Sequence, residues 1–156
     1  MLVCFPGAGR TQHLPEMMPP ERHYNAGLEL FAHAQYEAAQ QHFEDYIAEA
    51  DAFYHRPETQ LKVAEAAYFR ALSAYHLLKY NAESLLDEFT ATYPAHSKVP
   101  YARYYRGKLD FIKRKYDDAQ QTLEQISADA LDEETEQDRQ FMLGYSYFKS
   151  GEREKA

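Results

Sequence analysis

Seven histidines, one cysteine and several adjacent carboxylates are the side chains of this chain best suited to catalysis or metal binding. The histidines are His13, His23, His33, His42, His55, His76 and His96. No two stand four residues apart, the spacing at which one helix presents two imidazoles to one metal ion. There is no Cys-x-x-Cys. The histidines therefore read as structural or surface residues, and no metal is expected. Glu44-Asp45 and Glu133-Glu134 are neighbours in sequence only, because adjacent helical residues point in different directions and make no acid–base dyad. Cys4 lies in a segment without periodicity, away from any base that would activate it. As a lone thiol it makes no internal disulfide and defines no redox compartment. With no phosphate-cradling glycine loop either, the chain reads as non-catalytic, with no cofactor.

The pattern that does recur is structural. Gly27, Gly107 and Gly144 are each followed twelve positions on by alanine (Ala39, Ala119, Ala156), and Ala71 with Ala82 gives a degraded fourth copy. Tyr36, Tyr116 and Arg153 stand nine residues after the three glycines. A module of this length predicts stacked helical hairpins, an all-α superhelical solenoid of about three and a half hairpins. Each small residue lets two helices approach closely. The chain has 156 residues, of which 45% are hydrophobic, and 14 tyrosines with 9 phenylalanines supply bulky core material. That is enough for one continuous core. A formal charge of -8 excludes general nucleic-acid binding, which needs a basic face. No apolar run reaches the roughly 20 residues that cross a bilayer.

Residues 1–18 carry no period and read as an extended tail, with residues 19–156 forming the repeat domain. The apolar start and Gly7-Ala8-Gly9 resemble either the distal end of a secretory signal peptide or an ordinary leader. Pro19-Pro20-Glu21 opens the first helix, which covers Tyr24 to Ala34, and a second runs from Tyr36 to about Tyr54 before the His55-Arg56-Pro57 break. A third and fourth cover Thr59 to Leu78 and Tyr80 to Thr92. Ser97 is expected to cap the fifth, with Pro100 in its first turn and its last residue at Arg114. The sixth is Tyr116 to Ser127. Asp132 caps the seventh, which Gly151 stops at Ser150. The final hairpin is then half present, so the chain is expected to be an amino-terminal fragment or to dock its open end on another copy.

These residues resemble the tetratricopeptide repeat family. Leu143-Gly144-Tyr145-Ser146-Tyr147 matches its Leu-Gly-x-x-Tyr, Ala39 and Phe43 its Ala-x-x-x-Phe, and Ala82/Leu86 with Ala119/Leu123 the aliphatic variant. Pro94 stands at the closing proline. Tryptophan is absent, the first repeat is long, and the second keeps register only if one residue is dropped between Tyr75 and Ala82. These departures, with Phe89, Tyr93, Pro94 and Ser97, are similar to divergent bacterial cell-envelope members, including those that support outer-membrane protein assembly. The resemblance implies a protein-binding adaptor or scaffold, in the periplasm or envelope in preference to the cytoplasm. It also implies that the first helix of each repeat lines the concave face.

On those helices an aromatic stands three residues before each small residue (Tyr24, Tyr68, Tyr104, Phe141) and another four after it (Phe31, Tyr75, Phe111, Phe148). Residues seven apart project alike, so the rings form two ladders. They either pack as core between helices or line a groove for a partner peptide or helix. Family members that grip a terminal carboxylate do so with a lysine and an asparagine where Tyr24 and Leu28 stand here, so the ligand expected is apolar. Seven bases between Lys98 and Tyr116 read as a strip for an acidic partner or as a solvated flank paired with the acidic loop 129–138. Two rival roles remain: a self-assembling, homo-oligomeric module, and the non-catalytic arm of a larger protein.

Overall fold

The computed structural model describes residues 20–53 and 57–151, with side chains for 21–50 and 59–151. These residues form seven α-helices and no strand: α1 (Pro20–Ala32), α2 (Tyr36–Phe53), α3 (Pro57–His76), α4 (Ala82–Thr92), α5 (Val99–Ile112), α6 (Tyr116–Glu124) and α7 (Glu133–Ser150). Every helix packs on its neighbour in sequence. The first helices of successive hairpins also touch, α1 on α3, α3 on α5 and α5 on α7, whereas α2, α4 and α6 make no such contacts among the described residues. The result is an α–α superhelix with the odd-numbered helices on its inner layer. Tail residues 1–18, with Arg153 and Ala156, lie outside the described residues.

Each inner helix ends in the same way. Ala34, Leu78 and Arg114 take left-handed φ values of 57°, 52° and 61°. Each stands seven residues after its repeat's small residue, as does Gly151 at φ 90°. The amide of Ala34 donates to the Phe31 carbonyl and that of Gln35 to Leu30; Leu78/Lys79 and Arg114/Lys115 repeat both bonds. This pairing is the Schellman closure, and it satisfies carbonyls that the helix end would leave open. It also locates the residue missing from the second repeat. Ala39 and Ala119 bond back four residues, to Gln35 and Lys115, but Ala82 bonds back three, to Lys79. The deletion therefore lies after Leu78. It starts α4 at Ala82, not at the expected Tyr80, whose ring is 96% exposed. Other boundaries also move. Lys98, not Ser97, precedes α5 and no side chain caps this helix; the Lys98 amide donates to His96 Nδ1 at 3.2 Å. Asp132 caps α7 as expected, accepting from the Thr135 amide at 3.0 Å.

The small residues face bulky ones on the outer helix. A Cβ on Gly27 would stand 2.7 Å from the Phe43 ring, and one on Gly107 2.7 Å from Leu123. Ala71 is likewise enclosed, with Ala82 and Leu86 in the same cluster, and Ala39, Ala119, Phe43 and Leu123 are fully buried. Gly144 is half-buried, and its outer-helix counterpart lies beyond the described residues. Two opposite substitutions test this. Gly107→Leu overpacks a crossing that cannot open and should cost about 1–3 kcal/mol in urea denaturation. Leu78→Gly removes a left-handed strain at an exposed side chain and should gain about 0.5–1 kcal/mol, or about 2–4 °C in melting temperature.

Candidate functional site

The two aromatic ladders meet different environments along the superhelix. Tyr24, Tyr68 and Tyr104 are only 7%, 4% and 6% exposed. They are therefore not rings of an open groove, as one of the two expectations had it, but joints between repeats. The Tyr24 hydroxyl donates to Glu65 on α3 at 2.6 Å and the Tyr104 hydroxyl to Asp138 on α7 at 2.5 Å. Glu65 and Asp138 occupy the same repeat position, six residues before Ala71 and Gly144. Lys108 completes the second joint, reaching the Tyr104 hydroxyl at 2.9 Å and Asp138 at 2.7 Å.

The other ladder also spans repeats. Phe31 packs edge-on against Phe69 at 5.0 Å and Tyr75 against Tyr105 at 4.7 Å, both partners standing two residues before the next small residue. The third repeat departs from this, because Met142 fills that position and is buried. Phe111 turns instead to Tyr145 at 5.5 Å and to Phe141 at 6.5 Å.

On α7 the same ring positions are open. Phe141 is 65% and Phe148 51% exposed. Tyr145, which the repeat pattern treats as a variable position, lies between them and packs on Phe111, Tyr116 and Phe141. Phe141, Tyr145 and Phe148 are spaced four and three residues apart and so share one face. The sequence signal for Tyr145 was its spacing from Phe141, obscured because it falls beside Gly144. A second apolar surface, a groove of about 620 Å³, is lined by Leu61, Ala64, Thr92, Tyr93, Pro94 and His96.

Three of the seven bases in the run, Arg106, Lys108 and Lys113, make internal ion pairs, mostly with α4 and not with the acidic loop. Arg106 binds Asp110 and reaches Asp87 at 3.1 Å and Glu83 at 3.7 Å, while Lys113 holds Glu83 at 2.9 Å. Only Lys108, through Asp138, touches the expected acidic segment. Arg103 donates to the Gln125 carbonyl and Lys98 lies over the Tyr101 ring. The hydrogen bond from Lys113 draws the Glu83 carboxyl below its ordinary range.

With this geometry in hand, the likeness to other proteins can be placed. Over 90 residues the chain is 32% identical to the outer membrane protein assembly factor BamD of two Xylella fastidiosa strains, 9a5c and Temecula1. The match covers 58% of this chain but 29% of each relative, so the chain spans under a third of the curated relatives it matches. No protein-family model matches the chain, and no solved structure does. The paired helices fit a tetratricopeptide-like fold, and the likeness to an assembly factor fits the envelope resemblance. No helix of the described residues is long and apolar enough to cross a membrane.

The joints have a pH signature. Burial first, and then the Glu65 contact, raises the Tyr24 phenol; burial raises Tyr68; burial and the Asp138 hydrogen bond push Tyr104 up to about 12 against the lowering pull of Lys108. A phenol whose folded pKa exceeds the unfolded value of about 10 keeps its proton longer when folded. Stability is then intact below about pH 10 and falls as pH rises towards 12. Urea midpoints across that window should decline for the wild type and less steeply for Tyr104→Phe; equal slopes would refute the joint's role.

Proposed function

We propose that this chain is a non-catalytic protein-interaction scaffold that takes an apolar helix or peptide of a partner protein on the exposed face of α7, in the service of outer-membrane protein assembly at the bacterial envelope. One observation carries the reading: Phe141, Tyr145 and Phe148 share one face of α7, with Phe141 65% and Phe148 51% exposed. Together with the adjoining Phe111, these rings offer the kind of aromatic anchors that dominate partner binding. The likeness to an outer membrane protein assembly factor supports the process. Tyr24, Tyr68 and Tyr104 serve this role indirectly, by fixing the curvature that presents α7. Phe31, Tyr75 and Phe111, half-buried between helices, do the same.

The test is crosslinking with mass spectrometry in native bacterial lysate, comparing wild type with Phe141→Ala/Tyr145→Ala/Phe148→Ala. These rings are exposed, so the variant should keep its helical circular dichroism while losing captured partners. An anchor ring of this kind is worth about 2 kcal/mol or more, close to thirtyfold in affinity. An unchanged set of partners would remove α7 from consideration. Light scattering on the same pair separates a foreign partner from a second copy: a dimer that the triple variant dissolves would make self-association the role of this face.

A further inference from the structure

We infer that the first hairpin carries a divalent-cation site, of the zinc-binding class, formed by His23 of α1 with His42 and Asp45 of α2. The two imidazoles stand nineteen residues apart in sequence, yet their Nδ1 atoms face each other at 3.0 Å across the helix pair. Asp45 Oδ2 lies 3.7 Å from His23 Nδ1, and the three ligand atoms all fall within 4.8 Å of one another. Two nitrogens bound at about 2.0–2.1 Å to a tetrahedral zinc stand about 3.3–3.4 Å apart, so the pair is close to the spacing such an ion imposes.

The surrounding groups match what a ligand set requires. Gln41 donates to Asp45 Oδ1 at 2.9 Å, which leaves Oδ2 turned towards the imidazoles. If Nδ1 of His23 binds the ion, Nε2 carries the proton, and that atom faces Glu49 Oε1 at 3.8 Å. A carboxylate behind a ligating imidazole is the usual outer partner that fixes tautomer and ring orientation. Glu49 Oε2 is buried without a hydrogen-bond partner among the described residues. Two acidic side chains, Asp45 and Glu49, thus lie beside the imidazoles and offer a cation negative charge at the site. The His23 side chain is 14% exposed and Asp45 40%, so the ligands are sheltered on the helix side while a fourth position opens towards water. Direct coordination between α1 and α2 would clamp the hairpin one turn from the Gly27 crossing.

Calorimetric titration of zinc chloride into the intact 156-residue chain, first stripped with chelator, tests this against His23→Gln/His42→Gln, Asp45→Asn and a His33→Gln control. The wild type and the control should take up one equivalent that the double variant lacks. Asp45→Asn, which alters one ligand and keeps its size, should bind at least about tenfold more weakly, since even outer-partner changes cost about 10–100-fold. Cobalt substituted for zinc should give the visible bands of a four-coordinate ion in the wild type and lose them in the double variant. Uptake of the same number of equivalents at the same affinity by the double variant would put the ion elsewhere, at Cys4, His13 or His55 for example, and overturn the inference. So would a wild type that takes up none.

Discussion

The two helices of the hairpins α1–α2 and α5–α6 can lie only one way because a glycine on the inner helix sits against a bulky residue on the following outer helix. Gly27 leaves no room between its backbone and Phe43, nor Gly107 between its own and Leu123. Close approach of this kind interlocks the side-chain ridges of the two helices and fixes rotation about the axis. Once that rotation is set, positions three before and four after the small residue must face the next inner helix. The tyrosine–carboxylate joints and the ring contacts Phe31–Phe69 and Tyr75–Tyr105 follow from it. Three apolar clusters then overlap along the chain, one across α1–α3, one across α3–α5 and one across α5–α7. Stability in such an array is close to a sum of neighbour terms, so damage at one crossing is felt chiefly by the repeats beside it.

Charge complements the packing where α4 meets α5. Arg106 bridges Asp87 and Glu83 on one helix to the fully buried Asp110 on its own, and Lys113 shares Glu83. A carboxylate with no solvent exposure is tolerable only with a cation held against it, because an unpaired buried charge costs several kcal/mol. Arg106 is therefore committed within the fold. Lys108 and Lys113 are likewise held in internal pairs, so three of the seven bases in the run are committed to the fold and not to an acidic partner.

The repeat and its fold class were legible in the sequence because small and bulky residues recur at a spacing that only helix pairs satisfy. So was the Asp132 cap, whose local chemistry is complete within four residues. The position of the dropped residue was not, since a left-handed leucine at 78 carries no compositional mark, unlike Gly151. Lys98 was missed for a similar reason: no side chain caps α5, so its start carries no capping residue to read. Ring spacing showed that Tyr24, Tyr68 and Tyr104 share a face but not what that face meets. Burial depended on the distance to the next inner helix. The convergence of His23 and His42 was invisible for the same reason, because a search within one helix cannot find ligands shared between two.

The exposed face of α7 differs from its buried counterparts in one chemical respect. On α1, α3 and α5 the ring three before the small residue is a tyrosine, and in two cases its hydroxyl meets a carboxylate six residues before the next small residue. A buried hydroxyl without such an acceptor would lose about 1–3 kcal/mol. Phe141 has no hydroxyl, and Phe148 none either, so this face of α7 places no demand for an acid in that register. The requirement that specifies one inner helix for another is thereby relaxed, and apolar area with ring-edge geometry remains as the criterion. Tyr145 restores a single polar group at the edge of the stripe, where water or a partner's backbone can meet it.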